Sequence, residues 1–466
     1  MTTPLAYHCC EVEPSIFRAY DIRGIVEQQI NADVFYTIAK AISFRLQALG
    51  RSQVLVARDG RLTSDALTKA LIQGLLESGI DVVDIGMVPT PVMYYATHEY
   101  GIDSGLMVTG SHNPGEYNGI KMVMAGTTLA QDDIQILLDL IQNKSIRQGQ
   151  GQYQTFDILP QYCKRIVSDI SLKRRLRVVV DCGNGIGGVV VPELLRQLGC
   201  DVIELYCDVD GRFPNHHPDP TVEENLIDLK AGIQTHQADL GLSFDGDADR
   251  LGVVTNAGSV IWPDRLMMFY APFVLQANPN ATIVYDVKCS RHLKQVIQTA
   301  GGQATMCPTG HSLVKKIMKE AQAVLAGEMS GHIFFKDRWY GFDDALYAAS
   351  RLLELLTQSD QTTEAQFAVI PDSVNTPEIK IPVFEDKKFA LMQLFSEQAQ
   401  FPNAELIHID GVRVEFDHGW GLLRASNTTP CLVARFEAQT KEGLNAIQAL
   451  FREQLQIFDA DLFIPF

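Results

Sequence analysis

The sequence predicts an α/β protein: three similar α/β domains with mixed, largely parallel sheets and a smaller C-terminal α+β domain, arranged around a central cleft. At 466 residues the chain is too long for one ordinary hydrophobic core, and typical domain sizes favour about three or four domains. A unit of strand, polar or glycine turn, amphipathic helix, glycine break and second strand occurs three times, which predicts parallel strands joined by crossover helices. Beyond residue 371 the pattern changes to strands with intervening helices, as in an α+β domain.

The three units match only loosely in spacing, so a chance likeness between ordinary α/β units is the alternative interpretation. They comprise strand 54–60, helix 67–76 and strand 82–85; strand 178–183, helix 192–198 and strand 202–205; and strand 283–288, helix 292–299 and strand 304–306. In the last part of the chain we predict strands at 412–416 and 431–436 and a helix at 443–455.

Polar and glycine-rich stretches indicate where one domain gives way to the next. The stretch 148–152 precedes a helical segment at 158–170, a turn at 255–258 follows the second unit, and the polar run 358–363 precedes Pro371. We therefore expect four domains, at residues 1–156, 157–258, 259–371 and 372–466.

Composition excludes several classes of function. With 46% hydrophobic and 20% charged residues the chain is typical of globular proteins, and a net charge of -17 opposes broad binding to nucleic acid or an anionic membrane.

Residues 1–5 lack the pattern of a secretory signal, and no apolar run is long enough to span a bilayer. Nine scattered cysteines without metal or redox spacing favour reduced thiols and a cytoplasmic location.

The motif Thr109-Gly110-Ser111-His112-Asn113-Pro114 presents one hydroxyl in a turn directly after the apolar stretch 104–108. Strand ends are where α/β sheets hold their reactive groups, which makes Ser111 a candidate catalytic residue. A serine among glycine, asparagine and proline is otherwise ordinary turn chemistry.

Asp245, Asp247 and Asp249 alternate along a loop, so their carboxylates can turn to one side. Such a set of hard oxygen donors suits Mg²⁺, whereas an exposed acidic turn is the plain alternative. A calcium-binding EF-hand loop is excluded because Arg250 and Asn256 stand where that loop needs glycine and glutamate. A phosphorylated Ser111, with about -1.5 to -2 charges, would be a fourth metal ligand and a phosphoryl donor, and Arg250 could assist.

Two further loops carry groups that suit a phosphosugar. Glu328 and Ser330 are spaced to hold neighbouring sugar hydroxyls, although a buried loop explains these two residues equally well. His332 is a candidate proton shuttle, although a lone histidine more often has a structural role. The segment Arg424-Ala425-Ser426-Asn427-Thr428-Thr429-Pro430 concentrates donors for a phosphate group, with a polar hairpin turn as the alternative. Neither a Walker sequence nor a Gly-x-Gly-x-x-Gly sequence stands at a strand-to-helix junction, which weakens nucleotide binding.

Other residues complete the candidate site. The turn 17–24, with Tyr20 and Arg23, either lines a phosphosugar cleft or ties down the terminus. Lys121 is expected to return towards Ser111 on the next strand, and a role as base would need a lowered pKa. Lys288 and His311 lie at strand ends of the third unit and are candidate substrate contacts.

On the four motifs at 109–114, 245–250, 327–332 and 424–430, in that order, the chain resembles the α-D-phosphohexomutase family, close to its bacterial phosphomannomutase/phosphoglucomutase members. The resemblance implies a heart-shaped four-domain enzyme, with the active-site cleft at its centre, in which a phosphoserine at Ser111 phosphorylates a hexose 1- or 6-phosphate. A hexose 1,6-bisphosphate forms, turns over in the cleft and returns its other phosphate to the serine. Glucose 1,6-bisphosphate is the implied activator that first phosphorylates the serine.

The resemblance also implies a role for each candidate residue. One Mg²⁺ bridges Ser111 and the three aspartates, and the chain is expected to act as a monomer. The implied catalytic residues are Ser111, Lys121, Arg250 and His332; the implied substrate contacts are Tyr20, Arg23, Lys288, His311, Glu328, Ser330, Arg424, Ser426, Asn427 and Thr428.

The residue between Glu328 and Ser330 is Met329, which resembles the group that acts on mannose and glucose phosphates. The alternatives are a phosphoglucosamine mutase and a non-catalytic sugar-phosphate sensor. Retention of three aspartates together with Ser111 favours an enzyme, because a sensor needs no phosphoryl donor.

Overall fold

The structure is a computed structural model that describes residues 7–426 and 429–466, except the side chains at 385 and 386. Contacts divide the described chain into two compact units. Unit 1 comprises the described residues up to Pro263 together with Ser330–Ala368, and unit 2 comprises Asp264–Met329 with Val369–Phe466. Within the described residues, no helix has both the length and the apolar character needed to cross a membrane.

The first sheet of unit 1 has seven strands in the order β1-β5-β4-β2-β3-β7, with β6 paired to β5. Strands β2, β3, β4 and β7 run parallel, and β5 lies antiparallel between β4 and β1. The buried run in β4 and its return as β5 place the serine motif at the turn between them. The elements are β1 (Ile22–Ile25), α1 (Ala32–Ala48), β2 (Gln53–Arg58), α2 (Ser64–Leu76), β3 (Asp81–Met87), α3 (Thr90–Glu99), β4 (Gly105–Val108), β5 (Tyr117–Met124), β6 (Thr127–Thr128), α4 (Asp132–Gln142) and β7 (Tyr153–Thr155).

The second sheet of unit 1 has five strands in the order β12-β11-β10-β8-β9. Strands β8, β9 and β10 are parallel, and β11 returns antiparallel to β10, so the aspartate motif is the loop between these two strands. The elements are α5 (Leu159–Asp169), β8 (Arg177–Asp181), α6 (Val191–Gln197), β9 (Asp201–Leu205), α7 (Ile227–His236), β10 (Leu240–Phe244), β11 (Leu251–Thr255) and β12 (Val260–Ile261). Short 3₁₀ helices lie at Pro14–Ile16, Ile186–Val189 and Glu223–Leu226.

In unit 2, three parallel strands have the order β14-β13-β15. Glu328 directly follows the last of them. The elements of this part of the chain are α8 (Pro263–Ala277), β13 (Thr282–Asp286), α9 (Arg291–Thr299), β14 (Gln303–Cys307), α10 (His311–Glu320) and β15 (Leu325–Gly327). The chain then contributes β16 (Ile333–Phe335), α11 (Ala345–Leu356) and α12 (Thr363–Phe367) to unit 1.

The last part of unit 2 is an antiparallel sheet in the order β17-β22-β21-β20-β19, with β18 also paired to β22. Its elements are β17 (Val374–Asn375), β18 (Ile379–Pro382), α13 (Glu385–Gln398), β19 (Glu405–Ile407), β20 (Val412–Phe416), β21 (Gly419–Ala425), β22 (Cys431–Ala438) and α14 (Lys441–Phe458). Alternate residues of β20 to β22 pack in an apolar core with residues of both helices, including Phe395 and Phe451. The intervening positions include Trp420, whose ring centroid lies 3.8 Å from the Arg413 guanidinium carbon.

This architecture confirms the predicted fold class: three α/β parts with mixed, mostly parallel sheets, and a C-terminal α+β part. Two local features differ from the expectation. The segment 17–24 is more than a turn, because its end forms β1 and pairs with β5. The turn at 255–258 joins β11 to β12 inside the second sheet.

Candidate active site

The serine motif fills the turn between β4 and β5 in unit 1. Ser111 is 2% exposed and has a left-handed backbone with φ of 50°. Its Oγ donates a hydrogen bond to Oδ2 of Asp245 at 3.4 Å and lies 3.3 Å from Nδ1 of His112. The hydroxyl therefore faces the aspartate loop, as a phosphoryl carrier beside a metal site requires.

The aspartate motif lies between β10 and β11, and its three carboxylates are completely buried. One oxygen from each of Asp245, Asp247 and Asp249 lies within 4.8 Å of the others. Oδ1 of Asp245 accepts hydrogen bonds from the backbone N–H groups of Asp249 and Arg250, at 3.0 and 3.1 Å, which curls the loop around it. A Cβ atom on Gly246 would lie 2.3 Å from the carbonyl oxygen of Ser111, so the two loops are in direct backbone contact.

Lys121 lies on β5, opposite Met107 on β4, and so returns towards the serine motif as predicted. Its Nζ donates to Oδ2 of Asp247 at 2.6 Å and also to Asp249. Burial works to lower the pKa of Lys121, but the neighbouring carboxylates outweigh it and hold the pKa above its usual value. The lowered pKa that a base would need is therefore not found, and Lys121 is held as an ammonium group.

The carboxylates have opposite electrostatic surroundings. Burial raises the pKa of Asp245, and the adjacent Asp249 and Asp247 raise it further. For Asp247, burial acts in the same direction, but Lys121 and a hydrogen bond from Thr90 outweigh it and lower the pKa. Three acids packed together in this way repel one another unless a cation lies among them.

The donor set fits Mg²⁺. Oδ1 of Asp247 and Oδ1 of Asp249 are both buried and accept no hydrogen bond from any described residue. Buried carboxylate oxygens without donors are costly, and binding a hard divalent cation removes that cost. Asp245, Asp247 and Asp249 would hold the ion, with the oxygens of a phosphorylated Ser111 as the remaining protein ligand.

Arg250 and His332 lie side by side. Nε of Arg250 donates to Nε2 of His332 at 3.1 Å, and Nδ1 of the same ring lies 3.1 Å from Oδ2 of Asp343. Asp249, His332 and Asp343 form a second buried group whose ligand atoms lie within 4.8 Å of one another. An imidazole between a guanidinium and a carboxylate is oriented on both sides, as a proton-transfer group must be.

Two further residues, His112 and Arg23, set the hydrogen bonding and the charge around the serine motif. Burial, with Arg250 and Arg23 nearby, holds the pKa of His112 well below its usual range, so its ring is neutral beside the Ser111 hydroxyl. Arg23, on β1, donates to the side chain of Asn113 within the motif and pairs with Asp21. Tyr20 lies half-buried in the bend just before β1.

In unit 2, Asp286 at the end of β13 connects Lys288, a predicted substrate contact, to the backbone of Met329, which follows the predicted contact Glu328. Its Oδ2 lies 3.7 Å from Nζ of Lys288, and its Oδ1 accepts a hydrogen bond from the N–H of Met329 at 3.1 Å. Lys288 also donates to Oε1 of Glu378 at 2.6 Å. Burial works to lower the pKa of Lys288, but Glu378 and Asp286 raise it, so the side chain is a buried cation.

Asp410 joins the remaining loops of unit 2. Its Oδ2 accepts from Nε of Arg424 at 2.9 Å and from the N–H of Thr309 at 3.0 Å. The N–H of Gly310 donates to Oε1 of Glu328 at 2.7 Å, immediately before His311 begins α10. Unit 2 thus gathers the cations of Lys288 and Arg424 with the carboxylate of Glu328, groups that are suited to bind an anion and hydroxyl groups.

The structure therefore gathers the predicted residues in two sets. Unit 1 brings together Ser111, Lys121, Asp245, Asp247, Asp249, Arg250 and His332, with Arg23 bound to the serine motif. Unit 2 brings together Lys288, Glu328 and Arg424 around Asp286 and Asp410. His311 follows Gly310, whose N–H binds Glu328. Ser426 follows β21, and its Oγ lies 2.8 Å from Oγ1 of Thr429. Ser330, half-buried, begins the segment that belongs to unit 1. Asn427 and Thr428 lie outside the described residues.

Sequence reasoning missed several partners of the site: Thr90, Asp343, Asp286, Asp410 and Glu378. Each is a single polar residue outside the four motifs. Thr90 and Glu378 contact site residues 157 and 90 positions away, so no local signal indicates them. Asp286 and Asp343 lie near Lys288 and His332 in the sequence, and that proximity is the local signal that could have found them.

Comparison with known proteins matches the same architecture. Four domain families of phosphoglucomutase/phosphomannomutase match in order: alpha/beta/alpha domains I, II and III at residues 14–148, 160–258 and 262–372, and the C-terminal domain at 378–454. A phosphomannomutase/phosphoglucomutase from Pseudomonas aeruginosa is 53% identical over 452 residues, covering 97% of this chain and 98% of that protein.

Two further relatives agree. A phosphoglucomutase from Neisseria meningitidis is 47% identical over 445 residues, covering 95% of this chain and 96% of its own length. The crystal structure of a phosphoglucomutase/phosphomannomutase family protein from Burkholderia thailandensis superimposes with a TM-score of 0.93 at 47% identity. The match covers 98% of this chain and 100% of the Burkholderia chain.

These matches span nearly the whole chain, and the site carries the acidic cluster that such enzymes need. The chain belongs to the phosphoglucomutase/phosphomannomutase family, also known as the α-D-phosphohexomutases. This is a family of Mg²⁺-dependent isomerases that act on phosphosugars.

Proposed function

We propose that this protein interconverts the 1-phosphates and 6-phosphates of mannose and glucose through a phosphoserine at Ser111 and a hexose 1,6-bisphosphate intermediate. The observation that carries the proposal is the hydrogen bond from Ser111 Oγ to Asp245, in contact with a cluster of three buried aspartates. A serine used only as a turn residue would not need to face such a cluster.

In the first half-reaction the bond between phosphorus and Ser111 Oγ breaks, and a bond forms to the free hydroxyl oxygen of the hexose monophosphate. The hydroxyl proton must leave as the new bond forms, and the serine oxygen must regain a proton. A bound Mg²⁺ would neutralise charge on the transferring phosphoryl group. The second half-reaction returns the other phosphate of the bisphosphate to Ser111 by the same steps in reverse.

The residues around Ser111 have separate roles in this scheme. His112, neutral and 3.3 Å from Oγ, can exchange a proton with the serine. Lys121, held as an ammonium by the neighbouring carboxylates, is suited to bind and neutralise phosphoryl oxygens rather than to act as a base. Arg250 can neutralise phosphoryl charge, and His332, oriented by Asp343, can carry a proton.

We infer that the remaining candidates bind the substrate. Lys288, His311 and the phosphate-binding segment from Arg424 through Ser426, Asn427 and Thr428 supply cations and donors for the phosphate that does not react. Glu328 and Ser330 hold sugar hydroxyls, and Tyr20 and Arg23 are further substrate contacts. The four segments 1–156, 157–258, 259–371 and 372–466 are proposed as domains that each contribute one motif.

We also propose that glucose 1,6-bisphosphate is the activator that phosphorylates Ser111, that one Mg²⁺ binds per chain, and that the protein acts as a monomer in the cytoplasm. The net charge of -17 supports the absence of nucleic acid and membrane partners. All nine cysteines are free, which supports a reducing compartment.

The test measures conversion of mannose 1-phosphate to mannose 6-phosphate with Mg²⁺ and glucose 1,6-bisphosphate, alongside the intact mass of the protein. Wild type should turn over and carry one phosphate, whereas Ser111→Ala should lose both. Ser168→Ala, at an exposed position on α5, is the matched control and should behave as wild type. Near-normal turnover in Ser111→Ala would remove the phosphoserine mechanism.

Comparison of kcat/KM for mannose, glucose and glucosamine phosphates tests the substrate. A clear preference for the amino sugar would replace our proposal with a phosphoglucosamine mutase. Binding of these sugars by wild type without any turnover would instead support the sensor.

A further inference from the structure

Arg61, just beyond β2, lies directly behind the serine motif and is 4% exposed. Its guanidinium donates to four backbone carbonyl oxygens of the turn that carries Ser111. Nη1 donates to Pro114 at 2.6 Å and to Tyr117 at 3.0 Å, and Nη2 donates to Ser111 at 2.7 Å and to Asn113 at 2.5 Å. One side chain therefore binds the turn from its serine to its last residue.

Asp59 holds the other side of the turn. Its Oδ2 accepts from Oγ1 of Thr109 at 2.8 Å and from the N–H of Gly110 at 3.3 Å. The same oxygen lies 3.2 Å from Nε of Arg61, and both side chains are 1% exposed. Asp59 and Arg61 thus form a buried ion pair that binds the serine motif through Oδ2 of Asp59 and both Nη atoms of Arg61, while Oδ1 of Asp59 accepts from the N–H of Arg61 and from Ser64.

The conformation of Ser111 explains why the turn needs such support. A φ of 50° places a serine in the left-handed region, which is strained for a residue other than glycine and persists only where its surroundings impose it. The Ser111 N–H donates to Oγ1 of Thr109 at 2.8 Å, and its carbonyl oxygen accepts from Arg61. Both backbone groups of the strained residue are therefore bound by the Asp59 and Arg61 network.

Arg61 is itself held by contacts with Phe213, which lies between β9 and α7, and with Gly110 of the serine motif. The ring centroid of Phe213 lies 5.1 Å from the guanidinium carbon. A Cβ on Gly110 would lie 2.5 Å from the same carbon, so the turn packs closely on the guanidinium plane. This close fit leaves the turn little freedom to move relative to the side chain that binds it.

We propose that Arg61, paired with Asp59, is a positioning residue for phosphoryl transfer: it holds Ser111 in its left-handed conformation and so aims Oγ at the aspartate cluster. The inference rests on the proposed phosphoserine function. Arginine is required because its planar guanidinium directs N–H groups from separate nitrogens at fixed angles, whereas all the N–H groups of lysine are on one nitrogen. Arg61 touches no reacting atom, so its loss should affect the transfer step and leave substrate binding largely intact.

The test compares Arg61→Lys with wild type. Because misplacing reacting groups by about 1 Å can cost about 10²-fold in rate, we expect kcat to fall by about that factor. KM for the hexose phosphate should stay within about threefold, since the ground-state contacts remain. Arg58→Lys, three positions earlier and half-buried with Asp65 as its ion-pair partner, is the matched control and should keep wild-type kcat.

A second variant guards against a folding defect. Asp59→Asn leaves Arg61 in place but removes the charge that orients it, and should lower kcat in the same way with a smaller factor. If either folded variant keeps kcat within twofold of wild type, or changes KM rather than kcat, the positioning role is wrong. Failure of the proposed function itself would show in wild type, which would then lack both turnover and serine phosphate, and the inference would fall with it.

Discussion

Thr90 binds Asp247 twice: its Oγ1 donates to Oδ2 at 2.5 Å, and its backbone N–H donates to the carbonyl oxygen of Asp247 at 3.0 Å. Thr90 is the first residue of α3, a helix that packs against the first sheet of unit 1. The start of this helix therefore holds Asp247 of the aspartate loop in place. The hydroxyl of Thr90 and the ammonium of Lys121 occupy Oδ2, which leaves Oδ1 available for a metal ion.

We therefore expect Thr90→Val to weaken metal binding. Removal of a residue that orients a metal ligand typically costs about 10–100-fold in metal affinity. The measurement is the Mg²⁺ concentration that gives half-maximal turnover, with isothermal titration of Mg²⁺ as a second readout. Thr97→Val, on the same helix but bound only to the carbonyl of Tyr94, is the control. An unchanged Mg²⁺ requirement in Thr90→Val would show that these bonds serve the fold alone.

Removal of the metal should abolish turnover and lower thermal stability together. Without the metal, the repulsion among the three buried carboxylates is only partly offset by Lys121, which binds Asp247 and Asp249. A ligand that binds only the folded state raises the unfolding free energy by about 2.7 kcal/mol at a hundred times its Kd. Turnover and the melting temperature are measured in EDTA and again after excess Mg²⁺. Identical melting curves in the two conditions would contradict a metal site at the aspartate cluster.

Arg424→Lys tests the phosphate-binding role of unit 2. The guanidinium is oriented by Asp410 at 2.9 Å, and lysine cannot reproduce its two-pronged contact with phosphate. Loss of a hydrogen bond to a charged group costs about 1.5–3 kcal/mol, so KM for the hexose phosphate should rise by about 10- to 100-fold. Arg452→Lys on α14 is the control. A normal KM with reduced kcat would place Arg424 elsewhere in the mechanism.

Asp344 should make stability depend on pH. Burial raises the pKa of Asp344 to about 7, although Tyr347, Tyr162 and Trp339 donate hydrogen bonds that lower it. Because the folded protein binds the proton more tightly than the unfolded chain, this group stabilises the fold fully below about pH 4 and progressively less as the pH rises to 7. Urea unfolding at several pH values should show this decline in wild type and a shallower one in Asp344→Asn. Equal slopes for the two proteins would contradict the raised pKa.

The parts of the molecule that sequence predicted are those with local signals. The short apolar runs before Ser111 and Asp245 indicate strands, and the clusters of glycine and polar residues after them indicate loops. Strand β1 was missed because four residues containing an arginine and a glycine do not show an apolar alternation. Its partner β5 is what makes it a strand.

Long-range pairs escaped prediction for a different physical reason. Thr90 and Asp247 are 157 positions apart, and nothing near either one indicates the other. The pKa of Lys121 likewise depends on Asp247 and Asp249, which reach it only after the two sheets pack. Residue chemistry predicted which groups take part, whereas packing decides their protonation and their partners.

The contact between Gly246 and Ser111 bears on the exchange of segments between related enzymes. Ser111 and Asp245 stand 134 positions apart, yet their loops touch so closely that position 246 has no room for a methyl group. A chimera that takes its serine-bearing half from one homologue and its acidic loop from another inherits two surfaces that were shaped separately. Such recombinants should be assembled with both loops from a single parent, because the junction tolerates almost no variation in backbone path.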